Sequence, residues 1–208
     1  MIEAKELKRL LIDETVKQSG FVPRRGELHM SWLWMPVEKI IERVLTGEDP
    51  TEEMKVKFFQ GNLGEEGIKN RLFAICRVDN SGMTFEHGRE LKDFDGRLVG
   101  HTDCALLTEA EDILIECKTV PDDDALYGST MQSRGVPFRV YAQVQGYMLW
   151  GNYGRTFVIY ESRATGLLWL VDVPADAKFQ DELADKALEV LADERVKRIL
   201  SAKDAKER

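Results

Sequence analysis

The sequence predicts an α/β protein with a mixed central sheet flanked by helices. Residues 51–76 and 138–151 repeat apolar side chains at helical spacing. Residues 97–107 and 112–120 read as strands, joined by the polar turn Thr108-Glu109-Ala110-Glu111. The elements follow the order helix, three strands, helix, two strands, helix, which gives an α/β core with a mixed sheet, N-terminal helices and a long C-terminal helix.

Residues 2–18 form an amphipathic helix with Leu7, Leu10, Leu11 and Ile12 on or near one face, and Gly20 stops it. A loop over 19–30 carries Arg24 and Arg25. Ser31 is placed to cap a helix reaching Val44, with Pro36 tolerable only near its start. Gly47-Glu48-Asp49-Pro50 breaks the chain before the helix from Thr51 to Cys76. Residues 83–92 are weakly strand-like and end at the turn Asp93-Phe94-Asp95-Gly96. Residues 121–137 are polar and marked by glycine and proline, hence a loop. Residues 154–162 and 167–173 form a hairpin around Ala164-Thr165-Gly166. A single helix over 175–205 turns Leu183, Leu188, Leu191, Ile199 and Leu200 toward the body. The expected division is an N-terminal helical region over 1–50, a core over 51–175 and the C-terminal helix over 176–208.

A chain of 208 residues suits one domain, and 43% hydrophobic with 32% charged residues is ordinary for a soluble protein. No apolar run approaches the roughly 20 residues that cross a bilayer, and the N-terminus has no signal-peptide pattern, so a cytoplasmic protein without a membrane partner is expected. Cys76, Cys104 and Cys117 are odd in number and widely spaced, which argues against disulfides and a four-cysteine zinc site. The net charge is −8, but residues 105–126 alone account for −6. Residues 127–173 instead carry Arg134, Arg139, Arg155 and Arg163 against Glu161 and Asp172. That distribution suits a metal site beside a phosphate-binding surface, and equally a solvated acidic loop.

The chemistry centres on Ile113-Leu114-Ile115-Glu116-Cys117-Lys118. In a strand, Glu116 and Lys118 share a face with Leu114, and burying them is costly unless they are paired or metal-bound. Alone, the pattern favours a half-exposed strand whose Glu and Lys simply face water. Asp103, in the preceding strand, would lie across from Glu116, and two converging carboxylates call for a cation, with hard oxygen ligands selecting Mg²⁺ or Mn²⁺. In the upstream helix Phe58, Gly61, Glu65, Ile68, Leu72, Ile75 and Cys76 fall on one face, placing Glu65 in an apolar stripe and turning Glu66 about 100° away. Glu65 could also pair simply with Arg71. Gln143 and Tyr147 are four apart on one helical face, suited to holding carboxylates, water or a DNA backbone, or else forming a polar edge.

These residues together resemble the RecB-like and lambda-exonuclease-like (YqaJ-type) branch of the PD-(D/E)XK nucleases over roughly residues 28–173. Gly61-Asn62-Leu63-Gly64-Glu65, Gly100-His101-Thr102-Asp103, Glu116-Cys117-Lys118 and Gln143-Val144-Gln145-Gly146-Tyr147 resemble four family motifs in order. The resemblance implies an αβββαβ core and one or two Mg²⁺ or Mn²⁺ ions held by Glu65, Asp103, Glu116 and the main-chain carbonyl of Cys117. It implies Lys118 as catalytic lysine, with Gln143 and Tyr147 supporting the site and the DNA strand. His29-Met30-Ser31-Trp32-Leu33-Trp34-Met35 resembles the opening helix of RecB-like members, but the cysteines of an iron–sulfur site are missing, so no such cluster is expected. Arg24, Arg25, Ser31, Arg134, Arg139 and Tyr147 are the expected DNA contacts. The implied activity is a metal-dependent deoxyribonuclease, an exonuclease of phage or bacterial recombination and repair, acting in the host cytoplasm if phage-encoded. A structure-specific endonuclease and an inactive DNA-binding subunit are the alternatives. A single-strand annealing or recombination protein and further copies of the chain are expected partners.

Overall fold

The computed structural model describes residues 9, 14–15, 26–47, 50–78, 84–121 and 135–204. All of the helix expected over 2–18 except residues 9 and 14–15, together with Arg24, Arg25, Arg134 and the acidic run 122–124, lies outside the described residues.

The chain opens with β1 (Leu28–His29), a 3-10 turn at Met30–Trp32 and α1 (Val37–Thr46). Ser31 therefore does not cap a helix running to Val44, because the helix starts behind Pro36, which fixes its own φ and disfavours helix in the residue before it. The helix α2 (Glu52–Val78) follows, then the short strands β2 (Thr84–His87) and β3 (Glu90–Asp93). The single strand expected over 83–92 is thus two. Gly88 between them lies against the next segment so closely that a Cβ there would fall 1.8 Å from the carbonyl oxygen of Thr102, which only glycine permits.

The strand expected over 97–107 also splits, into β4 (Leu98–His101) and β5 (Cys104–Leu107). These belong to different sheets. One has the order β1-β4-β3, and the chain crosses at Thr102-Asp103 into the other. In that sheet β2 and β5 are followed by β6 (Asp112–Val120), β7 (Arg155–Ser162) and β8 (Leu168–Pro174). Between β6 and β7 the chain forms α3 (Phe138–Gly151), over the expected span. A strand–helix–strand crossover makes β6 and β7 parallel, while β5 and β8 run antiparallel to them.

Both faces of this sheet are covered. Leu114 of β6 and Val158 of β7 pack under Val140, Val144, Tyr147 and Met148 of α3. Ile115, Cys117 and Ile159 pack on the other face under Ile68 and Leu72 of α2. The half-exposed reading of β6 therefore fails, since Leu114 is fully buried and Glu116 is 1% exposed. The apolar stripe predicted on α2 is shorter than expected: Ile68 is buried, but Phe58 and Ile75, near its two ends, are exposed.

The C-terminal helix is likewise two, α4 (Ala177–Ala192) and α5 (Glu194–Asp204). Asp193 takes an extended conformation, and its Oδ1 accepts from the N–H groups of Arg195 and Val196, which caps α5 and ends α4. Leu183 and Leu200 are buried as expected, whereas Leu188 is half exposed on the outer face of α4. Among the described residues no helix is long and apolar enough to cross a membrane.

Candidate active site

Strand register creates the site. The β5–β6 ladder ends with Cys104 opposite Ile115, so from Glu116 onward β6 is paired only with β7 among the described residues. The next step of the register brings Asp103 level with Glu116. Because Asp103 lies in the crossing between sheets, its carboxylate is free to replace the missing strand: Oδ2 accepts the N–H of Cys117 at 2.8 Å. In an extended strand a residue's N–H and C=O point to the same side, so the Cys117 carbonyl faces this opening too.

The opening is bordered by α2. Glu65 lies 3.9 Å from the Lys118 ammonium, with about a fifth of its side chain exposed. Glu66 points outward, 58% exposed, and pairs with Lys69 at 3.3 Å. Arg71 does not take up Glu65; it pairs with Glu161 of β7 at 2.5 Å. Lys69, one helical turn past Glu65, stands 3.9 Å from Asp103 Oδ1. It was not foreseen from sequence, although its spacing of four from Glu65 puts it on the same face.

From the opposite layer, α3 supplies Gln143 and Tyr147. The Gln143 amide donates to Glu116 Oε1 at 2.7 Å and to the Tyr147 hydroxyl at 3.2 Å. Lys118 donates a very short hydrogen bond to the same Glu116 oxygen. The other oxygen, Oε2, is buried without a hydrogen-bond partner among the described residues. Gly100 of β4 makes room for this layer, since a Cβ there would sit 2.8 Å from Cε1 of the Tyr147 ring.

Electrostatics follow from burial and crowding. Burial pushes the Glu116 carboxyl up to about 8; Asp103 and Glu65 add to the rise, and Lys118 opposes it. Burial also raises Glu65. For Lys118, burial favours losing the proton, but Glu116, Glu65 and Asp103 together outweigh it and hold the ammonium charged well above the ordinary lysine range. Tyr147 is raised by burial and by Glu116, which keeps its phenol a neutral donor. Tyr160 of β7, level with Lys118, is pushed up to about 12 by burial, and its hydroxyl has no hydrogen-bond partner among the described residues. Sequence reading missed Tyr160 because only the β6–β7 register places it beside Lys118.

Three carboxylates thus face two ammonium groups around one opening. Among the described residues no three acid, cysteine or histidine side chains are already gathered closely enough to hold an ion; Lys118 supplies the positive charge between Glu65 and Glu116. Of the expected DNA contacts, Ser31 lies half-buried in the 3-10 turn, which packs on α3. Arg139 is exposed in the first turn of α3, close enough to Tyr160 to lower its pKa.

A scan against protein-family models finds none that matches, and no curated protein is similar in sequence. Solved structures do match. The alkaline exonuclease LHK-Exo from Laribacter hongkongensis superposes with a TM-score of 0.63 at 14% identity, over 94% of this chain and 100% of its own. The complex of LHK-Exo with dAMP gives a TM-score of 0.62 at 16% identity, over 89% of this chain and 96% of its own. At such identities the likeness concerns the fold, and it runs the length of both chains. The chain shares the mixed α/β fold of this alkaline exonuclease.

Proposed function

We propose that the protein is a metal-dependent deoxyribonuclease, and specifically an exonuclease of recombination or repair. The observation that carries this is Glu116: a carboxylate buried to 1% exposure, one oxygen without a hydrogen-bond partner among the described residues, held level with Asp103 and within the field of Glu65 and Lys118. An orphaned buried carboxylate oxygen is costly, and a divalent cation is the partner that carboxylates of this kind accept. The hard oxygen set of Glu65, Asp103, Glu116 and the Cys117 carbonyl fits one or two Mg²⁺ or Mn²⁺ ions. Such an ion would supply polarisation of a phosphoryl oxygen and acidification of water.

The chain's own groups do the rest. Lys118 stays protonated, so it serves as a donor that orients water or offsets charge building on the phosphoryl oxygens, and not as a base. Gln143 fixes the Glu116 carboxylate, and Tyr147 fixes Gln143. LHK-Exo has been solved with dAMP, a nucleotide unit of DNA, which supports DNA as the substrate here. Phage origin, an annealing-protein partner and assembly of several copies belong to the same reading.

The test is a time course on end-labelled linear DNA with Mg²⁺ or Mn²⁺, beside closed circular DNA and a Lys118→Ala control. Release of mononucleotides from linear DNA alone is expected, abolished by EDTA and by Lys118→Ala. Cutting of the circle would make the enzyme an endonuclease. No cleavage under either ion would leave a DNA-binding subunit on a nuclease fold.

A further inference from the structure

Next to the catalytic opening, on the other side of α2, lies a second cleft of about 820 Å³ that the chemistry above does not use. It runs between α2 and the C-terminal ends of the parallel strands β6 and β7, where open α/β sheets receive ligands. Gln60, Gly64, Gly67 and Arg71 line it from the helix, and Thr119 and Arg163 from the strand ends. Gly64 and Thr119 directly adjoin Glu65 and Lys118 in sequence, which places the cleft beside the site.

Its lining suits a sugar-phosphate unit. Two guanidinium groups face one carboxylate, Glu161, which Arg71 already holds. Arg163 is exposed and makes no ion pair among the described residues. The Thr119 hydroxyl is buried without a hydrogen-bond partner among the described residues. This is an excess of positive charge on a chain of net −8. The volume falls within the roughly 300–1,000 Å³ of small-ligand sites, enough for a nucleotide. A Cβ at Gly67 would meet nothing within 4 Å, so the space is left open by the helix. Glycine in a helix interior is otherwise a cost of about 1 kcal/mol relative to alanine.

Resting on the nuclease reading, we propose that this cleft holds a nucleotide of the substrate strand flanking the cleaved bond, its phosphate taken by Arg163 and Arg71. It is a binding subsite and takes no part in the chemistry.

Gly67→Leu fills the cleft and favours the helix, so loss of folding does not confuse the result. Three readouts are compared with the native protein: melting temperature, hydrolysis of bis(4-nitrophenyl) phosphate with Mn²⁺, and affinity for a labelled oligonucleotide in Ca²⁺. The small ester reaches the catalytic groups without entering the cleft. Gly67→Leu is expected to keep the melting temperature and ester hydrolysis while weakening oligonucleotide binding at least about tenfold, the loss expected for a charge-assisted contact. Arg163→Gln should lower the slope of log affinity against log salt by about 0.7 on a single strand. Unchanged oligonucleotide affinity in both variants overturns the subsite, as does an equal loss of ester hydrolysis and binding, which would mean a displaced α2. A native protein that binds the oligonucleotide through the cleft yet hydrolyses neither substrate would sink the nuclease reading and leave the cleft as a strand-binding site without a cleaved bond beside it. Absence of any oligonucleotide binding would sink both.

Discussion

Glu116 is where sequence, burial and function meet. Its position in an apolar strand marked it as expensive, and the structure shows why: α3 closes over it, and Gln143 and Lys118 satisfy one oxygen only. Its carboxyl is raised from 4.5 to about 8. A carboxyl raised in the folded state favours folding below its unfolded value, and that contribution is lost as pH climbs from 4.5 towards 8. An ion that binds the carboxylate must displace this proton. Without divalent ions, the melting temperature should therefore fall across this window because of Glu116. The rise in melting temperature on adding Mn²⁺ should be larger at pH 8 than at pH 6, and Glu116→Gln should flatten both trends. An equal Mn²⁺ effect at the two pH values would count against Glu116 as a ligand. The neighbouring acids on α2 give a second test. Glu65 faces the opening and Glu66 faces solvent. Glu65→Gln should lower cleavage by about 10- to 100-fold, the range seen when a site's supporting groups are removed, and Glu66→Gln should change it little. The reverse ranking in a cleavage assay would mean that α2 is turned the other way. Helical phase made Glu65 legible in the sequence. Lys69 lay on the same face, but a reading that followed apolar residues and carboxylates passed over it.

At the scale of elements, the legible parts were those whose neighbours in space are neighbours in sequence. The helix α3 lies where its apolar spacing put it, because both its start at Pro137 and its end at Asn152, in a left-handed conformation, are local signals. The strands around residues 83–107 were misjudged because their division is set by the other sheet. Nothing local in Gly100-His101-Thr102-Asp103 shows that Leu98–His101 pairs with β1 and β3 while Cys104–Leu107 pairs with β2 and β6. That division releases Asp103 from a ladder and makes it available to Cys117. Asp193 is a different kind of miss, since Asp before Glu-Arg-Val is a local capping signal hidden in a charged run. Glycines of the motifs divide in the same way. A Cβ at Gly61 would meet nothing within 4 Å, whereas one at Gly100 would press on Met30 and Tyr147. Gly61→Ala should therefore leave cleavage intact and stabilise the protein by about 0.5–1 kcal/mol. Gly100→Ala should destabilise by about 1–3 kcal/mol through overpacking and reduce cleavage by disturbing Tyr147. Thermal melts and an activity assay on the pair decide this; equal behaviour of the two variants would mean that Tyr147 is not held from β4.

Across the whole molecule, the fold class followed from element order, but charge does not mark the surface that the proposed nuclease needs for DNA. A chain of net −8 repels DNA at long range unless its cations are gathered where the strand passes. The structure gathers Lys69 and Lys118 at the opening and Arg71 and Arg163 in the neighbouring cleft, but the first two face carboxylates and contribute little free positive charge. Arg139 is placed differently. It is exposed in the first turn of α3, on the layer opposite α2, and its charge reaches Tyr160 beside Lys118. A strand entering the opening would pass between these two layers, so Arg139 should contact a phosphate from the α3 side. Each such contact contributes about 0.9 to the slope of log affinity against log salt on duplex DNA. Arg139→Gln should therefore weaken binding on all sequences alike and reduce that slope by about one contact, while the Mn²⁺-induced rise in melting temperature stays as in the native protein. Binding should be titrated in Ca²⁺ over a range of salt, so that cleavage does not consume the probe. If the slope is unchanged while affinity falls, Arg139 acts through the shape of α3. If both are unchanged, the DNA approaches from the α2 side alone, and the cations missing from the α3 side must come from another copy of the chain.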